Sequence, residues 1–202
     1  MQRASTIAVL DFAEIPAGVA ATDAMLKRAP VSFVRSGSVT RGRFLTVLGG
    51  STAAVQEALR AGLEVGGTAI LDHVLLADVH PLLLDGILGG RHPASGPLAL
   101  LETDTAAAAV RAAERALKGA MVELVEVRLA DAGLSGKGLV VLCGALHDLD
   151  AAVELATSEL SAGGLRLRTR VIPAPHPATV DQTSRTTRFD DSELLDLGGE
   201  VG

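Results

Sequence analysis

The chain has 202 residues, 48% of them hydrophobic, and a formal net charge of −6. This balance, with no Trp or Tyr, argues against a nucleic-acid binder, which needs clustered cations and aromatic surfaces for base stacking. A single cysteine excludes an internal disulfide framework, and no apolar run reaches the roughly 18 residues of a membrane span. Because the first residues also lack a signal-peptide core, we expect a cytoplasmic protein that contacts neither nucleic acid nor membrane.

The first half of the chain is predicted to contain six elements in the order strand, helix, strand, strand, helix, strand. Val19 and Leu26 lie on one apolar face of the first helix, and Ser51 or Thr52 caps the second. The third and fourth elements are separated by a polar segment that contains glycine. The predicted elements cover 6–12, 16–28, 31–35, 44–48, the stretch between the cap and Gly66, and 68–76.

The second half repeats this order after a Gly- and Pro-rich connector at 89–97. Its first helix carries Val110 and Leu117 at helical spacing, and its second carries Val153 and Leu160. The four predicted strands of this half cover 98–102, 122–128, 139–143 and 165–172.

The two halves are copies of one unit. Residues 7–31 reappear as 98–122 at a constant offset of 91, and 41–50 reappear as 135–144 at an offset of 94. A repeat of this length has the size of a small domain. The element order predicts an α+β fold of two tandem ferredoxin-like (βαββαβ) domains.

We place the first domain at 5–88 and the second at 98–181. The remaining residues, 182–202, have no counterpart in the first copy and are polar, then acidic. We interpret them as a mobile C-terminal tail whose SELLDL stretch could dock elsewhere.

The repeated blocks resemble the shell proteins of bacterial microcompartments. In that family a helix ending in DxxxKxAxV is followed by a glycine-rich loop and a PHP-like segment. The first copy has DAMLKRAPV, TRGRFLTVLGG and VHP, and the second has ERALKGAMV, SGKGLVVLCG and PHP. The resemblance implies two tandem microcompartment (BMC) domains in the unpermuted order. It further implies a homotrimer that imitates the hexamers of single-domain shell proteins and tiles with them into a shell.

The resemblance also implies a central pore lined by the two glycine-rich loops. Three copies of Arg41, Arg43 and Lys137 near one axis would favour the passage of small polar or anionic metabolites. The alternative, equally weighted, is that these side chains are ordinary solvated loop cations. The pore-lining residues implied are Thr40, Arg41, Gly42, Arg43, Ser135, Gly136, Lys137 and Gly138.

The same resemblance places four residues at the edge of the tile: Lys27, Lys118, His80 and His176. Each lysine would pack its stem against a neighbouring tile. Taken alone, each is also explained as a lysine near the negative end of a helix dipole. Asp78 and Ala174 stand where many relatives have an edge arginine, so we expect less symmetrical packing than in a hexamer.

No catalytic or metal-binding pattern accompanies these motifs. The segment GLSGKG lacks the spacing of a phosphate loop, and the five histidines lack metal-ligand spacing. Cys143 falls on a predicted strand and is expected to be buried, and no cofactor is predicted. We therefore expect a structural protein rather than an enzyme. The alternative is a small-molecule binding or sensor protein that holds its ligand between the two copies.

Overall fold

The computed structural model describes residues 5–198. Short 3-10 turns occur at Thr40–Gly42, Gly67–Ala69 and Phe189–Asp191. The first half contains β1 (Thr6–Phe12), α1 (Ile15–Arg28), β2 (Phe33–Val39), β3 (Arg43–Gly50), α2 (Thr52–Gly66), β4 (Ile70–Ala77) and α3 (Pro81–Ile87). The second half contains β5 (Leu98–Thr103), α4 (Ala106–Gly119), β6 (Val122–Leu129), β7 (Gly138–Gly144), α5 (Leu146–Ala162), β8 (Leu167–Ile172) and α6 (Pro177–Arg185).

Each half forms one four-stranded antiparallel sheet, in the orders β2-β3-β1-β4 and β6-β7-β5-β8. The helices α1 and α2 cover one face of the first sheet, as α4 and α5 cover one face of the second. All seven residues of β1 are buried because α3 and the second domain cover its other face. The predicted α+β class with two tandem βαββαβ domains is confirmed.

Helix α1 packs on its domain through Gly18, Ala21, Thr22 and Met25 rather than through the predicted apolar face. Gly18 allows this close approach, since a Cβ there would lie 2.5 Å from the Phe44 ring. Val19 and Leu26 are instead 52% and 44% exposed, on the side that points away from their own domain. The expected apolar face therefore exists, but it does not belong to the core of the first domain.

Two local predictions were wrong. The polar segment after residue 35 is not a loop, because β2 continues to Val39 and pairs with β3 as far as Arg43. The sequence pattern also missed α3 and α6. Each begins with Pro at its first position after a histidine N-cap, and in both helices the histidine Nδ1 accepts a backbone N–H. Proline at the first helical position was the signal available.

The two domains share a continuous interface. Helix α4 lies against β1 and β4 of the first domain, and α3 lies against β6 of the second. Leu83 of α3 is fully buried in this region, and Gly86 approaches Leu124 and Val127 closely. As a result ten residues of α4 are buried, whereas only four of the equivalent helix α1 are.

The C-terminal segment is attached to the second domain by α6, Thr187 and Arg188. Helix α6 passes through residue 181, and its Val180 packs on the outer face of the second sheet. The Thr187 hydroxyl donates to the Glu126 carboxylate at 2.6 Å, and Arg188 pairs with Asp131. The predicted tail, 182–202, therefore begins within α6. Beyond it Leu194 is almost fully exposed.

Candidate functional site

The two loops predicted to line a pore lie side by side. The backbone N–H of Thr40 donates to the Ala130 carbonyl at 3.1 Å, and the Thr40 hydroxyl donates to the same oxygen at 2.7 Å. The N–H of Gly136 donates back to the Thr40 hydroxyl at 2.8 Å. The chain therefore brings together two loops that are about 90 residues apart in sequence.

Arg41 stands at the tip of the first loop. It has a positive φ of 66°, next to Gly42 at 68°, so the loop turns sharply and presents the side chain to solvent. Within residues 5–198 Arg41 forms no ion pair or hydrogen bond through its side chain. Of the three cations expected at the pore, it alone is free in the described part of the chain.

Arg43 and Lys137 are already paired with carboxylates. The Arg43 Nη1 atom lies 3.9 Å from Asp11 Oδ2 and donates to the Gly136 carbonyl at 2.8 Å. The Lys137 ammonium lies 2.9 Å from a Glu102 carboxylate oxygen. The two pairs occupy equivalent places, because Asp11 pairs with β3 as Glu102 pairs with β7. Neither cation adds unbalanced charge to the loops.

The carboxyl of Asp11, next to Arg43, is buried and has a raised pKa. Burial raises the pKa of Asp11 to about 6, although the Ala106 N–H and the Arg43 guanidinium act in the opposite direction. Oxygen Oδ2 accepts from the Ala106 N–H at 3.1 Å, at the start of α4, while Oδ1 has no hydrogen-bond partner among the described residues. Asp11 therefore links the first domain to the N-terminus of a helix in the second.

The glycines of the second loop are required by neighbours within the same chain. Gly136 has a φ of +82°, and a Cβ there would lie 2.8 Å from the Arg43 guanidinium. A Cβ on Gly138 would lie 2.3 Å from the Ala109 Cβ. Packing within one chain therefore explains glycine at both positions. Ser135 is exposed with a positive φ of 50°.

A polar seam runs along the contact between α4 and β4. The Thr105 hydroxyl donates to Asp72 Oδ2 at 2.6 Å, and Arg111 Nη2 lies 3.3 Å from Asp72 Oδ1. The backbone N–H of His80 donates to Glu114 at 3.0 Å. The Lys118 ammonium lies 3.4 Å from the Ala77 carbonyl. Lys118 and His80, both expected at a tile edge, thus take part in the internal interface.

The equivalent residues of the other copy lie at the surface. The Lys27 side chain is 76% exposed and forms an ion pair with Asp23 at 2.6 Å, while the Lys118 side chain is 39% exposed. His176 is exposed, whereas His80 is partly covered by the second domain. The structure therefore separates the four expected edge residues into two at the internal seam and two at an outer surface.

Four exposed apolar side chains lie on α1 and β2 of the first domain. Each is matched, by the repeat or by sheet register, to a residue of the second domain that is buried against the first. The exposed set is Ile15, Val19, Leu26 and Val34, and the matching buried set is Ala106, Val110, Leu117 and Leu124.

A crevice of about 350 Å³ lies between the two domains, lined in part by β2 and β6. Its charged side chains bind protein groups: Arg35 donates to the Ile87 carbonyl, and Arg128 and Arg188 both pair with Asp131.

Cys143 is buried in the outer core of the second domain. Residues 5–198 contain no group of His, Cys, Asp and Glu arranged to hold a metal ion. In that same range, every helix is too short or too polar to cross a membrane.

Comparison with known proteins identifies the family. A family model for the BMC domain matches residues 6–79 and 98–175. The chain is 36% identical over 174 residues to the bacterial microcompartment shell protein PduT of Citrobacter freundii, a match that covers 84% of this chain and 92% of that protein.

Solved structures agree. A microcompartment protein from Desulfitobacterium hafniense DCB superposes with a TM-score of 0.75 at 31% identity, over 86% of this chain and 97% of that one. The fused permuted hexameric shell protein of the RMM microcompartment gives 0.59 at 27% identity, over 79% and 83% of the two chains. The chain therefore belongs to the BMC domain family, and it is a microcompartment shell protein with two BMC domains in tandem.

Proposed function

We propose that three copies of this chain form a ring of six BMC domains that tiles into a microcompartment shell and surrounds a central opening. The chain acts structurally, with no catalytic role, and its partners are other shell components, including single-domain hexameric shell proteins. Small polar or anionic metabolites pass through the opening. The domain boundaries 5–88, 98–181 and 182–202 are part of this proposal.

The observation that carries the proposal is the set of apolar residues exposed on α1 and β2. Their counterparts in the second domain are buried by β4 and α3 of the first domain. Covering side chains that are about half exposed contributes on the order of 1 kcal/mol each. A second copy that places its β8 and α6 against α1 and β2 would reproduce a contact that the chain already makes internally.

The opposite end of the chain supports this arrangement. Strands β4 and β8 occupy the same edge of their sheets, and α3 and α6 follow them with the same histidine cap. Strand β4 and helix α3 contact the second domain, whereas within residues 5–198 no further domain packs against β8 and α6. A contact that repeats head to tail generates a closed ring when the rotation closes. Three chains supply six domains.

Within such a ring the adjoining loops at 40–43 and 135–138 face the opening in our proposal. Arg43 and Lys137 are neutralised by Asp11 and Glu102, so the positive potential of the opening depends on Arg41. A ring of three like charges attracts anions into a narrow opening. Lys27 and Lys118 are proposed to act at the outer edges of the tile.

Assembly tests the proposal directly. The purified full-length chain is expected to have three times its 20.6 kDa mass by light scattering and native mass spectrometry. With single-domain shell proteins it is expected to form flat sheets in electron micrographs. A chain that stays monomeric with and without these partners would overturn the proposal. Saturable stabilisation of such a monomer by a small metabolite would favour the sensor alternative.

A further inference from the structure

The internal seam shows which side chains meet when β4 of one domain contacts the N-terminus of the next domain's first helix. Thr105 is the N-cap residue of α4, and its hydroxyl donates to Asp72 on β4 at 2.6 Å. Arg111, on the next turns of α4, also reaches Asp72 and the carbonyl of His73. Asp72 is therefore satisfied by two groups from the same helix.

Two surface residues occupy the places of Thr105 and Asp72 at the outer ends of the chain. Glu14 is the N-cap residue of α1, as Thr105 is of α4. Arg168 on β8 pairs with Glu102 on β5 in the same register in which Asp72 pairs with Asp11 on β1. The helix cap and the sheet register, two independent features, establish this correspondence.

From this correspondence we propose that Glu14 of one copy forms an ion pair with Arg168 of the next copy, and that this pair selects the second copy and its orientation. The inference rests on the proposed ring. Inside the chain the matching contact is a hydroxyl–carboxylate hydrogen bond, and between chains it becomes a carboxylate–guanidinium pair.

Both side chains are available for this contact. Glu14 is exposed and forms no side-chain hydrogen bond with its own helix. The Arg168 side chain is 46% exposed, and its Nη1 atom lies 2.8 Å from Asp104 Oδ1 and 3.5 Å from Glu102 Oε1. A guanidinium has five N–H donors in a planar fork, so Arg168 can keep both of these neighbours and also bind a carboxylate of another copy.

The same chemistry disfavours the wrong neighbour. Strand β4 is already covered by α4 of its own chain. If α1 of another copy displaced α4, Glu14 would face Asp72, and two carboxylates would repel each other. Arg111, which compensates Asp72 within the chain, is replaced on α1 by Ala20 at the repeat offset of 91. A contact between two first domains therefore lacks its cation. First and second domains must alternate around the ring, which only whole chains in one orientation can achieve.

A second polar contact repeats alongside the first. Inside the chain Glu114 accepts the His80 N–H at 3.0 Å and pairs with Lys118 at 2.6 Å. Asp23 and Lys27 form the equivalent pair on α1, also at 2.6 Å, and both are exposed. In the ring, Asp23 is positioned to accept the His176 N–H of the next copy. The outer surface thus carries both polar contacts of the internal seam with different residues.

Charge reversal tests the pair. Glu14→Arg and Arg168→Glu are each expected to raise the trimer dissociation constant at least tenfold, measured by analytical ultracentrifugation at low salt. The double variant E14R/R168E is expected to recover most of the loss, because the ion pair is restored with exchanged partners. Glu14→Gln, which places no cation at a helix N-terminus, is expected to weaken the trimer by a smaller factor.

Glu64→Arg, an equal charge change at an exposed position on α2, is the matched control and is expected to leave the trimer unchanged. Circular dichroism melting of each variant separates lost assembly from lost folding. Wild-type trimers with unchanged dissociation constants in both single variants would overturn the pair but leave the ring standing, as would a double variant as weak as the singles. A wild-type chain that forms no trimer would overturn the ring itself.

Discussion

The guanidinium of Arg43 lies 3.9 Å from the buried carboxylate of Asp11, and it reaches across the domain boundary to the Gly136 carbonyl at 2.8 Å. An arginine expected to carry free charge is therefore a link between the two domains. Its side chain is only 17% exposed. Lys137 is paired with Glu102 in the same way at 2.9 Å, so the local charge of the loops depends on Arg41.

Neutralising Arg41 is expected to remove the anion preference of the proposed opening. Asparagine is a suitable replacement, because it tolerates the left-handed backbone that Arg41 adopts at a φ of 66°. Entry of anionic and neutral probe molecules into assembled shells measures the effect. Arg41→Asn should slow the anionic probe several-fold and leave the neutral one unchanged. Arg60→Asn, at an exposed position on α2, is the control; equal anion entry in all three proteins would contradict the electrostatic role.

Stability is expected to fall as pH rises through the titration range of Asp11. The pKa of this carboxyl is raised from 3.8 to about 6 in the folded chain, so the folded state binds more protons than the unfolded state between these values. The contribution of Asp11 is therefore most favourable when it is protonated, below about pH 4. It decreases up to about pH 6, by at most about 3 kcal/mol.

Urea unfolding at a series of pH values measures this dependence. The free energy of unfolding of the wild type, minus that of Asp11→Asn, is expected to decrease between pH 4 and pH 7. The amide of asparagine does not titrate, so the subtraction removes the other carboxylates. Parallel curves for the two proteins would show that folding does not raise the pKa of Asp11.

Adding one methyl group at Gly138 is expected to destabilise the second domain. The new Cβ would lie 2.3 Å from the Ala109 Cβ and 3.0 Å from the Thr105 carbonyl oxygen, both of which lie at the start of α4. Overpacking of this kind costs about 1–3 kcal/mol. Thermal unfolding of Gly138→Ala is compared with that of Gly37→Ala, where a Cβ has nothing within 4 Å. Equal melting temperatures in both variants would contradict the packing argument.

Replacing Lys27 and Lys118 with alanine is expected to abolish lateral tiling while trimers persist. Lys27 is the more exposed of the two, and Lys118 also contacts the Ala77 carbonyl at 3.4 Å, so Lys118→Ala alone should cost a little stability. Electron microscopy of sheets, together with the solution mass, separates the two effects. Arg60→Ala serves as the control. Normal sheets from the double variant would remove both lysines from the tile edge.

Much of the fold was predictable from local pattern. The duplicated periodicity located the eight strands and the four long helices of residues 5–198, and the predicted cap at Ser51 and the end of α2 at Gly66 agree with the structure. Two short helices were missed, since α3 and α6 have few residues and their only strong signals were His-Pro starts. Strand β2 was predicted too short because its polar residues were interpreted as a loop, although an edge strand exposes such residues.

The candidate site was only partly predictable. Sequence located both loops, but it could not show that Arg43 and Lys137 are paired, because each partner carboxylate is about 30 residues away or more. Nor could it show that Val19 is exposed while Val110 is buried. The two residues have the same local pattern and differ only in whether another domain covers them.

The sequence by itself determined the duplication, the α+β class and the family of this protein, because each follows from repeated short-range patterns along the chain. Tertiary structure alone decided which of the repeated residues remain free. Helix α4 is covered by the first domain and α1 is not, so identical motifs acquire different environments. Burial and charge pairing depend on contacts between residues far apart in sequence, and those contacts leave Arg41, Glu14 and Arg168 available to solvent or to another copy.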